Sequence, residues 1–180
     1  TRPTRFGAGH LVALLLAAMA VGLVWLARVT PPAKAAPLKA EVVKLDDLKK
    51  ELGGKKGHVV VLHLWATWCL PCLEELPFVG KFAERARPRG VEVLSYSIDQ
   101  VTPELPARVS QLITSKARGA LTRRIVRVDD PDVFVTAIDP TWEGTIPALF
   151  AYDHTGKLRG SLTGDAALKE LEPLVDGLVK

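Results

Sequence analysis

The order of apolar patterns along the chain predicts an α/β domain with a mixed sheet. Short runs rich in β-branched residues alternate with longer segments whose apolar residues recur at helical spacing. The run GHVVVLHLWA is almost continuous in apolar residues, as expected for a strand buried on both faces. Near the carboxyl end, ALFAYD and KLRGSL are separated by HTG, which predicts an antiparallel hairpin. Strands joined by helices, followed by a hairpin, give a mixed sheet.

The first half of the predicted domain contains two strands and two helices. EVVKL predicts a short strand, and DDLKKEL predicts a helix with Asp46 or Asp47 near its amino end. The buried strand GHVVVLHLWA follows. After it, apolar residues at helical spacing predict a helix that begins at or near Cys69. Those residues are Leu73, Leu76, Val79, Phe82 and Ala86.

The second half begins with VEVLSYSID, which predicts a strand in the central part of the sheet. Residues 105–118 predict a helix, whereas PDVFVTAI fits either a short helix or a strand. After the hairpin, an amphipathic pattern predicts a closing helix, although Pro173 lies in its middle. Its apolar residues are Leu168, Leu171, Leu174 or Val175, and Leu178.

A hydrophobic segment from Leu11 to Ala27 precedes the domain and predicts an N-terminal apolar helix. The segment is somewhat long for the core of a signal peptide and short for a helix that spans a bilayer. An A-x-A site that ends at Ala35 favours cleavage, whereas Trp25 and Arg28 favour a retained anchor. Both interpretations stay open, with the anchor favoured.

These features divide the chain into three parts. We predict a membrane anchor or signal segment in residues 1–29, a Pro/Ala-rich tether in residues 30–41, and one domain in residues 42–180. The arginine-rich start predicts that the amino end stays in the cytoplasm and that the rest is exported. The expected location is the bacterial cell envelope, either anchored in the inner membrane or released into the periplasm.

The net charge of +4 does not indicate a nucleic-acid partner. The first 38 residues carry only basic charges, at Arg2, Arg5, Arg28 and Lys34. The rest of the chain has equal numbers of basic and acidic residues, 20 of each. Because the predicted domain is charge-balanced, its composition gives no sign of a phosphate-binding surface.

The two cysteines, Cys69 and Cys72, lie where the buried strand gives way to a helix. As a structural staple their disulfide would contribute little, because the closed loop is short. A zinc site needs about four ligands, and the chain has no second cysteine pair. Two thiolates alone can hold Cu(I), so a copper site stays open.

A redox couple explains the placement of the pair best. At a helix amino terminus, free N–H groups and the helix dipole stabilise a thiolate, which is the nucleophile in thiol–disulfide exchange. Cys69, the first of the two, is the candidate nucleophile. Cys72, one turn deeper, can then attack the mixed disulfide and release the partner. Cys-x-x-Cys at a strand-to-helix junction is a strong signal for this chemistry.

Three stretches resemble a known family. They are WATWCLPCLEELP, GTIPALFAYDHTGKL, and Gly164 ahead of the last helix. The sequence is similar to thioredoxin-fold proteins, and most to exported or membrane-anchored thiol–disulfide oxidoreductases of the TlpA/ResA type. The resemblance implies a thioredoxin-like, three-layer α/β/α fold in which Cys69 attacks and Cys72 resolves. It also implies a cis-proline at Pro147 that faces the disulfide, with the backbone of Ile146 pairing with an extended partner segment.

The resemblance also points to residues around the cysteines. Glu75 occupies a position where the family often has a glutamate that can tune a cysteine or relay a proton, whereas Glu74 is expected in solvent. His63 stands where thioredoxins have a buried acid and TlpA-like proteins commonly an asparagine; it is either a satisfied core histidine or a proton acceptor for Cys72. Trp68 resembles an exposed aromatic platform for partners. The other tryptophans near the motifs, Trp65 and Trp142, are expected to pack in the core.

The expected function is reduction of disulfides in extracytoplasmic proteins, with a membrane thiol reductant upstream. Family analogy suggests apocytochrome c thiols or copper-site cysteines as targets. No cofactor other than the Cys69–Cys72 disulfide is expected. A Cu(I) chaperone and a disulfide-introducing oxidase are the alternatives. A thiol peroxidase is disfavoured, because Ala66 stands where the Thr-x-x-Cys spacing needs threonine.

Overall fold

A six-stranded mixed sheet forms the centre of the domain in a computed structural model, which describes residues 39–164 and 167–179. The predicted apolar segment and all but the end of the predicted tether lie outside the described residues. The strands are β1 (Glu41–Val43), β2 (Val59–Trp65), β3 (Val91–Ser97), β4 (Arg124–Val126), β5 (Ala148–Tyr152) and β6 (Leu158–Thr163). The helices are α1 (Leu45–Gly53), α2 (Leu70–Ala86), α3 (Leu105–Lys116), α4 (Pro131–Ile138) and α5 (Ala167–Leu178).

The sheet has the strand order β1-β4-β3-β2-β5-β6. The pairs β1–β4, β4–β3 and β3–β2 are parallel, whereas the pairs β2–β5 and β5–β6 are antiparallel. β2 is one of the two central strands, and all seven of its residues are buried. This agrees with its continuous apolar sequence. The mixed sheet predicted from the sequence is therefore confirmed.

Helices cover both faces of the sheet. Because side chains alternate along a strand, Val61 and Trp65 of β2 point to one face and Leu62 to the other. Val61 packs with residues of α2 and α5, and Trp65 packs with residues of α2 and α3. Leu62 packs with residues of α1 and α4. The structure thus has the three-layer α/β/α arrangement of thioredoxin-like proteins, as the sequence resemblance implied.

Local sequence signals explain where several elements begin and turn. In α1, Asp47 accepts a hydrogen bond from the backbone N–H of Lys44 at 3.0 Å, which caps the first turn. Between β5 and β6, the backbone N–H of Asp153 donates to the carbonyl of Lys157 at 2.9 Å. Gly156 has a φ of 85° in this turn, a conformation that glycine adopts without strain. The predicted hairpin is confirmed.

The segment PDVFVTAI, which fitted a helix or a strand, is the helix α4. Asp130 precedes it and accepts hydrogen bonds from the backbone N–H groups of Asp132 and Val133, at 3.0 and 3.1 Å. Pro131 occupies the first helical position, where a missing N–H costs nothing. An aspartate cap followed by proline thus decides the local structure in favour of the helix.

One element and one boundary differ from the prediction. β4 was not predicted, because its three residues lie among basic residues and form no apolar run. The domain also begins slightly before residue 42, since Ala40 is buried and its N–H donates to the carbonyl of Pro106 at 3.2 Å. In the part of the chain that the structure describes, no helix is long and apolar enough to cross a bilayer.

Candidate active site

The disulfide sits at the junction between β2 and α2. Cys69 and Cys72 are joined by an S–S bond of 2.06 Å. Cys69 is the N-cap of α2, and its sulfur accepts a hydrogen bond from the backbone N–H of Cys72 at 3.2 Å. Cys69 keeps a small exposed area, whereas Cys72 is fully buried. A partner from solvent can therefore reach the Cys69 sulfur first, which fits the predicted order of attack.

The loop before β5 faces this disulfide. The peptide bond between Ile146 and Pro147 is cis, as the resemblance implied. The carbonyl oxygen of Ile146 lies 3.9 Å from the sulfur of Cys69. This places the backbone that precedes the cis-proline next to the cysteine that a substrate would meet.

A buried carboxylate, Asp99, holds the turn that leads into the disulfide. It accepts hydrogen bonds from the backbone N–H of Thr67 at 2.8 Å and from the Thr67 hydroxyl at 2.7 Å. The hydroxyl of Ser97 donates to the same carboxylate at 2.6 Å. Asp99 follows β3, and Thr67 follows β2, so the two parallel strands deliver these groups to one edge of the sheet. The carboxylate thereby ties the turn before Cys69 to the end of β3.

A second buried network lies on the α2 side of the sheet. The Nε2 atom of His63 lies 2.7 Å from Oε1 of Glu75, and its Nδ1 atom lies 3.0 Å from Oγ of Ser95. His63 and Ser95 are fully buried, and Glu75 is 6% exposed. Glu75 follows Cys72 by one helical turn, so the network reaches the inner cysteine's side of α2. The structure therefore brings together two predicted site residues, His63 and Glu75.

Exposed apolar side chains surround the disulfide. Trp68, Leu70 and Phe78 are 70%, 66% and 59% exposed, although their side chains are large and apolar. Phe78 also lines a shallow cavity of about 160 Å³. Its lining residues are Pro71, Glu74, Glu75, Phe78, Pro147 and Leu168. An apolar surface next to a reactive disulfide is suited to contact with another protein.

The two other tryptophans near the motifs are core residues, as predicted. Trp65 is fully buried, and its Nε1–H has no hydrogen-bond partner among the described residues. Trp142 is 6% exposed, and its Nε1–H donates to the carbonyl of Thr145 at 2.8 Å. Thr145 lies just before the cis-proline loop, so Trp142 also helps to fix that loop from the core.

Tyr96, Tyr152 and Asp139 have shifted pKa values and lie on the side of the sheet that α1 and α4 cover. Burial, together with a hydrogen bond to Glu51, holds the pKa of Tyr96 far above its ordinary value. Burial raises the pKa of Tyr152 to about 12, with a contribution from the charge of Asp139. Hydrogen bonds from the backbone N–H and hydroxyl of Thr141 lower the pKa of Asp139. These groups have structural roles and do not belong to the disulfide site.

Sequence reasoning missed Asp99, Ser95 and Phe78. A serine or aspartate near the end of a predicted buried strand is a weak signal, because its partner is decided by strand register. Phe78 lies outside the set of apolar residues whose helical spacing predicts burial in α2, and this position was the signal that could have placed it on the surface. In the described part of the chain, no group of three or more His, Cys, Asp or Glu side chains could hold a metal ion.

Comparison with known proteins agrees with this geometry. Residues 31–169 match the model of the Redoxin family. The chain belongs to the Redoxin family. This redoxin is 28% identical over 132 residues to the thiol-disulfide oxidoreductase ResA of Bacillus cereus, covering 73% of this chain and 69% of the relative. It is 29% identical over 131 residues to ResA of Geobacillus kaustophilus, covering 71% and 69%.

Solved structures support the fold of this redoxin. A thiol:disulfide interchange protein of Chlorobium tepidum superposes with a TM-score of 0.56 at 19% identity, over 82% of this chain and all of that one. A thioredoxin-like protein in its oxidised form gives a TM-score of 0.57 at 22% identity, over 82% and 90%. With the family match and the disulfide geometry, the protein is a thiol–disulfide oxidoreductase of the TlpA/ResA type that acts on protein thiols.

Proposed function

We propose that this redoxin reduces disulfides in other extracytoplasmic proteins. The observation that carries the proposal is the asymmetry of the pair: Cys69, at a helix amino terminus, is 6% exposed, whereas Cys72, one turn deeper, is fully buried. The cis-proline loop next to Cys69 and the exposed apolar side chains around it support a protein substrate rather than a small molecule.

The reaction begins from the reduced protein. The Cys69 thiolate attacks one sulfur of the substrate disulfide; a bond between Cys69 and that sulfur forms as the substrate disulfide breaks, and the first substrate thiolate leaves. Cys72 then loses its proton and attacks the Cys69 sulfur, which releases the second substrate thiolate. Substrate gains two electrons, and the protein is left with the Cys69–Cys72 disulfide. The free N–H groups at the start of α2 stabilise the attacking thiolate.

We assign the docking of the substrate to Trp68 and to the backbone of Ile146. The carbonyl of Ile146 lies beside Cys69 and can pair with an extended segment that carries the target disulfide. Trp68 is the large, exposed side chain next to Cys69. We expect Trp68→Ala to lower kcat/KM for protein substrates by a factor of roughly 5 to 30, because about 1–2 kcal/mol of contact free energy is lost. Exchange with small aromatic disulfides should change little.

The wider setting belongs to the same proposal. The hydrophobic segment at residues 11–27 supports export with a membrane anchor or signal segment. Because the reaction leaves this protein oxidised, an upstream membrane thiol reductant has to reduce it again. Apocytochrome c and copper-site cysteines are the proposed targets. A disulfide-introducing oxidase would use the same residues in the opposite direction.

The reduction potential of the Cys69–Cys72 pair tests the direction. It can be measured in thiol–disulfide buffers by following tryptophan fluorescence, since Trp65 and Trp68 flank the site. A potential near about −270 mV supports a reductant, whereas one near about −120 mV overturns the proposed direction. In parallel, reduced Cys72→Ser should accumulate a mixed disulfide with insulin through Cys69. The Cys69→Ser variant is the matched control and should accumulate none.

A further inference from the structure

A buried polar chain runs from the helix of the cysteines to the centre of the sheet. Its members are Glu75 on α2, His63 on β2 and Ser95 on β3. His63 stands between the other two, with Nε2 at 2.7 Å from Glu75 and Nδ1 at 3.0 Å from Ser95. The register of the sheet places His63 directly beside Ser95. Both ring nitrogens of this buried histidine have partners, and one partner is a carboxylate one helical turn from a reactive cysteine.

These three side chains, Glu75, His63 and Ser95, can together hold one extra proton without losing a hydrogen bond. When Glu75 is ionised and His63 is neutral, Nε2–H donates to Glu75 and Nδ1 accepts from the Ser95 hydroxyl. When a proton is added, either Glu75 donates to Nε2 and Nδ1–H donates to Ser95, or the imidazolium donates to both. The Ser95 hydroxyl serves all of these states because it can turn and is both donor and acceptor. The chain can therefore take up and return a proton in a buried site.

We infer that His63, supported by Ser95, is a positioning residue that holds Glu75 in place to take the proton of Cys72. The inference rests on the proposed function for the direction of the step. During resolution the S–H bond of Cys72 breaks, and its proton passes to the Glu75 carboxylate and is shared with His63. The Cys72 thiolate forms a bond to the Cys69 sulfur, the bond from Cys69 to the substrate breaks, and the substrate leaves as a thiolate. No further oxidant is needed, since the substrate disulfide accepts both electrons.

Few other groups can influence this proton. From α2, Glu75 and the reduced Cys72 face the buried side of the sheet. From the neighbouring strands, Ser95 of β3 and Leu149 of β5 lie in register with His63, and neither carries a charge. The buried hydrophobic side chains that pack with the cysteines carry no charge. The other buried carboxylate on this side, Asp99, is bonded to Thr67 and Ser97 at the turn before Cys69. Among the described residues, no other charged side chain lies within ion-pair distance of His63 or Glu75.

Stopped-flow mixing of the reduced protein with excess DTNB, an aromatic disulfide, separates the two cysteines. The first thionitrobenzoate leaves when Cys69 attacks, at a rate proportional to the DTNB concentration. The second leaves when Cys72 resolves the mixed disulfide, at a rate independent of that concentration. We expect Glu75→Gln to slow the second release on the order of 100-fold and His63→Asn at least about tenfold. The first release should stay within about twofold in both variants.

The pH dependence decides whether His63 handles the proton. His63→Asn should change the pH profile of the second release between about pH 5 and pH 9, and the double variant should be no slower than Glu75→Gln. The controls are exposed residues of the same types, His58→Asn and Glu84→Gln, which should behave as wild type. An unchanged pH profile in His63→Asn, or factors that multiply in the double variant, would overturn the inference.

A measurement on the wild-type protein covers the case in which His63→Asn does not fold. The ring nitrogens of His63 should change their NMR shifts between the oxidised and reduced states, because the reduced state adds a thiol proton beside the chain. Identical shifts in both states, over the same pH range, would refute the role. An oxidising reduction potential of the Cys69–Cys72 pair would overturn the proposed reductase function. Both DTNB releases could still be measured in that case, so failure of the proposed function and failure of the role of His63 are distinguishable.

Discussion

Replacing Asp99 with alanine tests whether one buried carboxylate holds the turn before the disulfide. Asp99 is 6% exposed and accepts hydrogen bonds from the Thr67 N–H, the Thr67 hydroxyl and the Ser97 hydroxyl, at 2.8, 2.7 and 2.6 Å. Thr67 is followed directly by Trp68 and Cys69, so the conformation of the turn depends on these bonds. We expect Asp99→Ala to destabilise the domain and to slow exchange with protein substrates.

The size of the effect follows from the three donors. A hydrogen bond to an ionised group contributes about 1.5–3 kcal/mol, and a buried donor left without a partner costs about 1–3 kcal/mol. The Thr67 N–H is fixed, whereas the hydroxyls of Thr67 and Ser97 can rotate towards other acceptors. Counting the N–H fully and the hydroxyls in part gives about 3–5 kcal/mol for Asp99→Ala. Asp99→Asn should cost only about 1–2 kcal/mol, because one orientation of the amide still satisfies all three groups.

Urea unfolding at neutral pH measures this free energy. With a slope of about 2 kcal/mol per molar urea, Asp99→Ala should lower the midpoint by about 2 M. The matched control is Asp129→Ala, an exposed aspartate near the same edge of the sheet, which should stay within about 0.5 kcal/mol of wild type. If Asp99→Ala unfolds within about 1 kcal/mol of wild type, or if Asp99→Asn is equally damaging, the hydrogen-bond argument is wrong.

Two further predictions concern packing and acid stability. A Cβ atom at Gly80 would lie 3.0 Å from the Cβ and 3.1 Å from the backbone of Ala117, so Gly80→Ala should lower the free energy of unfolding by about 1–3 kcal/mol. A Cβ atom at Gly53 would meet nothing within 4 Å, so Gly53→Ala should instead raise the free energy of unfolding by about 0.5 kcal/mol. If both variants shift the urea midpoint in the same direction, the packing argument is wrong. Hydrogen bonds, the strongest from the Thr155 hydroxyl, hold the pKa of Asp153 well below its ordinary value. Its contribution is therefore present above the unfolded pKa of about 3.9 and lost as the pH falls, and Asp153→Asn should show a smaller loss of stability from pH 7 to about pH 3 than wild type. An equal loss in both proteins would refute this assignment.

Much of the fold could be predicted because its signals are local. The continuous apolar run of β2, the helical spacing after Cys69 and the hairpin turn each depend on a few neighbouring residues, and the structure confirms all of them. β4 could not be predicted, since its three residues lie among basic residues and form no apolar run of their own. Its place in the sheet is set by pairing with β1 and β3, which is a long-range property.

The site divides in the same way. Cys69 and Cys72 follow from local sequence, and Pro147, Glu75 and His63 came from the resemblance to a family. Neither route could give the partners of these residues, because a hydrogen bond across the sheet needs the register of two strands and the rotation of a helix. For example, Nε2 of His63 on β2 lies 2.7 Å from Oε1 of Glu75 on α2, although the two residues belong to different elements.

β3 is the common support of both cysteines. Its residues Ser95 and Ser97 point to the face that packs against α2, and each is paired in register with a residue of β2, His63 and Trp65. Ser95 is hydrogen-bonded to His63, whose other partner lies one helical turn from Cys72. The hydroxyl of Ser97 donates to Asp99, which holds the turn before Cys69. Buried serines in a central strand cost free energy unless they are hydrogen-bonded.

Because both serines have such partners, polar residues in this strand are explained by the site rather than by packing. A Ser97→Ala variant should therefore reproduce part of the stability loss expected of Asp99→Ala and should slow only the first, Cys69-dependent release of thionitrobenzoate. A Ser95→Ala variant should act only on the second release, which depends on Cys72. If both variants slow the same phase, β3 does not support the two cysteines separately, and the networks act as one.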